Sequence, residues 1–133
     1  MSEPNESNPW LTRLPILVAA HSVGTANIVS VLAMAPVISL ELGLSATQFG
    51  LFVTAYYMAQ AIGSLPAGVM TDRFGIGRSL FLGHILMAMS AVTLSYADGY
   101  NECLAALLWM GIGYSMNNQS TARGGLDWFP PDK

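Results

Sequence analysis

Eleven residues near the middle of the chain, Gly68 to Arg78 (GVMTDRFGIGR), put one carboxylate, two guanidinium groups and three glycines into one short run. Asp72, Arg73 and Arg78 have no nucleophile and general base beside them, so the chemistry on offer is ion pairing that can be made and broken. The run lacks the Gly-Lys-Ser/Thr ending of a phosphate loop. A second set of residues can donate or accept hydrogen bonds, stack or, at His21, take up a proton. It comprises His21, Asn27, Gln60, Tyr114, Asn117 and Asn118, all within otherwise apolar stretches. Such groups recognise a solute or tie helices together. No zinc-ligand spacing and no nucleophile–base pair accompanies them, and the single Cys103 excludes a cysteine metal cluster. An enzyme, a metal centre, a bound cofactor and a nucleic-acid partner are therefore not expected.

The elements that must position these groups are helices of membrane length. Of 133 residues, 53% are hydrophobic and 10% charged, against roughly 25% charged in a typical soluble domain. No Asp, Glu, Lys or Arg occurs in 14–40, 42–71, 79–97 or 103–122. Crossing a hydrocarbon core takes about 20 helical residues. Each charge at mid-bilayer costs about 2.5–3.5 kcal/mol on insertion scales. Four such windows predict an all-α membrane protein with four transmembrane helices, at 14–40, 45–71, 79–97 and 102–122. A tail (1–13), a hairpin (72–78) and a terminal segment (123–133) lie between and around them.

The basic residues occupy alternate connections. Arg13 precedes the first window, Arg73 and Arg78 follow the second, and Arg123 and Lys133 follow the fourth; 41–45 and 98–102 hold only acidic residues. The positive-inside bias then places both termini and the hairpin in the cytoplasm. A multi-pass protein of the plasma membrane, in a bacterium the inner membrane, is expected. The acidic N-terminal region and the length of the first apolar run do not fit a cleaved signal peptide.

Local signals refine the elements. Residues 1–12 read as a disordered tail, Pro15 as a first-turn proline, Pro36 as a kink and Gly43 as a helix end. Ser45-Ala-Thr-Gln48 has the spacing of a capping box. Ala55, Ala59, Gly63 and Ala67 recur every four residues and make a ladder for close helix approach. Asn101 suits an N-cap. On the fourth helix Gly111, Tyr114, Asn117, Asn118 and Thr121 share a sector about 120° wide. His21 and Asn27 lie about 120° apart on the first helix and so address different neighbours. For every polar residue in the spans the alternative to a solute path is an interhelical hydrogen bond, worth about 0.6 kcal/mol on average. His84 reads as a packing or interfacial residue in preference to a proton carrier; with no carboxylate inside the spans, any proton coupling would use His21, His84 or a group beyond residue 133.

The spacing Gly68-x-x-x-Asp72-Arg73-x-Gly75, with Arg78 shortly after, resembles the loop between the second and third helices of the major facilitator superfamily, which are secondary transporters. DWFPP, Asp127 to Pro131, resembles the segment that follows the fourth helix there. Ile76 and Gly77 stand where the family often has a basic residue. The resemblance implies a loop that holds two halves of a transporter together. Gly68 would allow close approach, Asp72 would sit at the contact, Arg73 and Gly75 would shape the turn, and Asp127 would pair with Arg78. It also implies that the chain holds part of the N-terminal half, with the partner for Asp72 supplied by further helices or another chain. The expected function is transport of a small solute by alternating access, with proton or ion coupling open. His21, Asn27, Gln60, Tyr114, Asn117 and Asn118 are the candidate pathway, and a fragment of this length is not expected to transport alone. A small four-helix homodimeric exporter and a non-transporting membrane interaction protein are the alternatives.

Overall fold

The computed structural model describes residues 9–129, and every regular element among them is helical. The order is α1 (Pro9–Ala33), α2 (Ala35–Glu41), α3 (Ala46–Phe74), α4 (Ile76–Ser95) and α5 (Tyr100–Trp128). Two of them, α1 and α4, are long and apolar enough by themselves to cross a membrane, with mean hydropathies of 1.7 and 1.3 over their spans. The 29-residue α3 and α5 exceed the length a bilayer requires and carry more polar residues.

Several boundaries differ from expectation for identifiable reasons. Helix formation starts at Pro9, not Leu14, so Trp10 to Arg13 belong to α1. Trp10 meets Phe129 with ring centroids 4.5 Å apart, and the Arg13 guanidinium lies 5.2 Å from the centre of the Trp128 ring. The aromatic end of α5 thus holds residues that look like a polar tail. Pro15 lies inside α1 rather than in its first turn. The expected single helix 14–40 is interrupted at Met34. Pro36 falls at the start of α2 and has no N–H to continue the ladder from Leu32. The tail at 1–8 and the closing residues 130–133, which include Pro130 and Pro131, lie outside the described residues.

The turn chemistry largely follows the sequence. Gly43 takes φ +61° after α2. Its N–H reaches the Leu40 carbonyl and that of Leu44 reaches Ser39, the paired bonds of a left-handed helix stop. Ser45 and Gln48 form the reciprocal capping box at the start of α3. Gly99, not Asn101, precedes α5, and the Glu102 carboxylate accepts from the Asp98 N–H at 2.8 Å. The hairpin expected over 72–78 contracts to Gly75 alone, at φ +85°, a backbone region that favours glycine. Asp72 and Arg73 consequently end α3, and Arg78 sits in the first turn of α4.

Helix α5 is the central element, with α1, α3 and α4 packed around it. Small residues set each contact. A side chain on Gly111 would collide with the Tyr56 carbonyl and come within 2.9 Å of the Ala59 Cβ, both on α3. A Cβ on Gly63 would lie 2.7 Å from the Ser115 Oγ. On the other side of α5, Gly113 and Gly83 of α4 approach so closely that a Cβ on either would be 2.8 Å from the other's carbonyl oxygen. The ladder read from α3 is buried at Ala59, Gly63 and Ala67 and continues to Thr71, whose hydroxyl lies 3.0 Å from that of Ser120. At the opposite end Phe52, Tyr56, Cys103, Leu107 and Met110 close a core with Ile28. Large apolar side chains, among them Ile16, Ile62, Leu65, Phe81, Met89 and Trp109, point outward from four helices. That exterior suits an apolar solvent.

Candidate functional site

Two groups of predicted residues come together, in separate places. The first is centred on Tyr114 of α5. Its hydroxyl lies 3.2 Å from the Thr25 hydroxyl of α1. The His21 ring, one turn earlier on α1, and the Tyr56 ring of α3 each have their centroids 6.2 Å from that of Tyr114. Gln60 follows Tyr56 by one turn, with its Oε1 buried and unpartnered among the described residues. Asn118, half-buried, lies one turn beyond Tyr114 on α5. Three helices therefore contribute to one polar, aromatic and uncharged patch. Thr25 and Tyr56 belong to it although sequence reasoning gave them no part in the pathway. Their spacing of four from His21 and Gln60 respectively was the available signal.

Asn117 borders this patch at Gly24, where a Cβ would also lie 3.3 Å from the Tyr114 ring, and Asn27 lies elsewhere. Asn117 is completely buried, and neither its amide nitrogen nor its oxygen has a hydrogen-bond partner among the described residues. It abuts Gly24 of α1, where any side chain would strike its amide. Leaving a buried polar group unpaired costs about 1–3 kcal/mol. Asn27 donates to the Val23 carbonyl of its own helix at 3.1 Å. It lines a mainly apolar groove of about 590 Å³ between α1, α2, α4 and α5, together with Ser30, Met34 and Leu94. The groove and the Tyr114 patch occupy different faces of α1.

The second group gathers at Gly75. Arg123 of α5 reaches Asp127 one turn along its own helix at 3.1 Å and faces Asp72 of α3 at 3.9 Å. These three residues line a notch of about 290 Å³ with Thr71, Gly75 and Ile76. The side chains are exposed: 63% for Asp72, 52% for Arg123 and 43% for Asp127. The expected Arg78–Asp127 pair is not formed. Arg123 takes that role because α5 continues as a helix to Trp128 and places it four residues from Asp127. Arg78, exposed on α4, makes no ion pair with a described residue. Arg73 is exposed at the end of α3. A side chain on Gly68 would meet nothing within 4 Å.

A buried ladder of small residues, an uncharged polar patch and an acidic–basic cluster at a one-residue turn match a transport scaffold better than a catalytic one. The sequence model of the Major Facilitator Superfamily matches residues 16–133. The chain belongs to that superfamily. Members are integral membrane transporters of small solutes rather than enzymes. Similar proteins carry transporter names. A hexuronate transporter of Bacillus subtilis (strain 168) is 28% identical over 122 residues, covering 90% of this chain and 29% of its own length. A probable L-galactonate transporter of Escherichia coli (strain K12) is 31% identical over 93 residues, 67% of this chain and 20% of the relative. A probable 4-methylmuconolactone transporter of Cupriavidus pinatubonensis is 32% identical over 79 residues, 59% and 18%. The chain thus spans less than a third of the length of each of these relatives. No solved structure matches.

Proposed function

We propose that this superfamily member supplies four membrane-crossing helices (α1 with α2, α3, α4 and α5) to a secondary transporter of the bacterial inner membrane. Its N-terminus, the Gly75 turn and the end of α5 lie on the cytoplasmic side. The alternation of basic and acidic connections supports that orientation. Transport by alternating access requires a second body against which these helices rock. Further helices or another chain supply it, and the open surface at Gly68 beside Asp72 is where it would press.

The observation that carries the transport reading is the Tyr114 patch. The hydroxyls of Thr25 and Tyr114 and the rings of His21 and Tyr56 meet there from three helices, with no Asp, Glu, Lys or Arg among them. Asn118 and Gln60 lie one turn along from it, and Asn117, buried, borders it at Gly24. A solute path of this kind explains buried amides that ordinary packing would leave at a loss. Asn27 belongs instead to the groove side of α1.

The proposed solute is small and polar. The names of two relatives make sugar acids the first to test. Cells expressing the protein with all of its encoded helices would be assayed for uptake of labelled glucuronate, galacturonate and galactonate, with and without a proton gradient. Tyr114→Phe and Gln60→Leu are expected to lower uptake at least tenfold at unchanged membrane abundance. Uptake unaffected by both substitutions would remove the patch from the path. A membrane-inserted, well-folded protein that neither moves nor binds any solute of a broad panel would favour an interaction role.

A further inference from the structure

His84 lies in the middle of α4, half-buried against α1, and both of its ring nitrogens face backbone carbonyl oxygens. Nδ1 is 2.8 Å from the Leu80 oxygen one turn back on the same helix, and Nε2 is 3.2 Å from the Ala20 oxygen of α1. A carbonyl oxygen only accepts. A neutral imidazole has one N–H and one lone pair, so in the neutral ring one of these contacts would set two acceptors against each other. With both nitrogens protonated, the Leu80 and Ala20 carbonyls each receive a charge-assisted N–H···O bond. We propose that His84 is a proton-binding site, and that its proton fastens α4 to α1.

The surroundings define how such a site would work. On α1 the segment from residue 14 to the helix end has His21 as its one titratable group, next in sequence to Ala20 and turned toward Tyr114. On α4 nothing else from Ser79 to Ser95 titrates, and Arg78 lies six residues before His84. On α5 the titratable groups are Tyr100 and Glu102 in the first turn, Cys103 and Tyr114 within 103–122, then Arg123 and Asp127 near the helix end. On α3, which also packs on α4, they are Tyr56 and Tyr57, then Asp72 and Arg73 at the last turn. No carboxylate lies within the apolar stretches of these helices. The imidazolium therefore rests on two carbonyl dipoles rather than on a counter-ion within these stretches. An ionisable side chain at this depth is costly unless it has a task. The contact ties together the two helices that border the groove holding Asn27. Release of the proton cancels the Ala20 or the Leu80 bond and frees α1 to shift against α4. This inference does not depend on which solute, if any, the Tyr114 patch carries.

The chain has two histidines, which makes a direct test practical. Histidine labelled with 15N and 13C is incorporated into the His21→Gln protein in lipid bilayers, leaving His84 as the only signal. Magic-angle-spinning spectra are taken from about pH 8.5 to about pH 5.5, across the range in which imidazole ordinarily changes charge. The expected result is a ring protonated and hydrogen-bonded at both nitrogens at the acidic end, converting to a single tautomer as the pH rises. Spin labels at Ile16→Cys and Phe81→Cys, in a Cys103→Ser background with His21 intact, should show the α1–α4 distance lengthening over the same interval. In the His84→Gln protein that response should vanish. A ring that stays neutral across the whole interval, or a pH-dependent distance that survives His84→Gln, would overturn the proposal.

Discussion

The contact between α5 and its neighbours and the charged cluster at Gly75 use the same helices in opposite ways. In the first, Gly111, Gly113 and Gly83 bring backbones so close that no further atom fits, and Gly63 faces the Ser115 side chain. In the second, Asp72, Arg123 and Asp127 are all substantially exposed, and the neighbouring Gly68, Gly75 and Gly77 have open space where a side chain would go. The same residue type thus serves contact in one place and accommodation in the other. Helix association within a membrane rests on van der Waals fit, which tolerates little change. An exposed ion pair contributes about 0–1 kcal/mol, so it can switch without endangering the fold. The tight seam keeps the unit together, and the loose cluster is free to exchange partners.

Substitutions at the two kinds of glycine probe this contrast most severely. Gly111→Leu and Gly113→Leu should each cost about 1–3 kcal/mol or more through overpacking against backbone. They should abolish a monodisperse species in detergent-phase gel filtration. Gly63→Ala should be milder than either, because the atom in its way belongs to the rotatable Ser115 side chain. Thermal unfolding in detergent should rank it between Gly111→Ala and wild type. Thr71→Val, which removes the α3–α5 hydroxyl contact, should lower stability by about 0.6 kcal/mol. Smallest of all, Arg123→Ala should shift unfolding by less than about 1 kcal/mol. Yet in the transport assay it should behave like Asp72→Asn, and the exchange of Asp72→Arg with Arg123→Asp should recover activity that either change alone removes. If Arg123→Ala proved as damaging to folding as Gly111→Leu, the cluster would be a structural element and the contrast would fail.

Much of the helical arrangement is legible in local chemistry. The capping box at Ser45, the stop at Gly43 and the four-residue ladder from Ala55 depend on neighbours in sequence, and each appears where its spacing predicts. What escaped the sequence depends on distant partners. Trp10 and Arg13 look like tail residues until Phe129 and Trp128 are brought against them. The family resemblance makes Arg78 the expected partner of Asp127. Once α5 runs on as a helix, the i,i+4 spacing of Arg123 and Asp127 decides the pair. The rotation count groups Asn117 with Tyr114, and both do border Gly24; what it could not show is that Asn117 is completely buried there. At His84 the sequence carries no sign that two backbone carbonyls, one of them on another helix, stand at its ring.

The turn at Gly75 has a mechanical consequence. One residue between two long helices stores no slack, so α3 and α4 behave as a crank with a single joint rather than as two rods on a tether. A pull on Asp72 at the end of α3 would reach α4 across one residue, and His84 rides on that arm only eight positions past its first residue. A charge exchanged at the surface would then have a backbone route into the bundle, with no path of side chains needed to carry it.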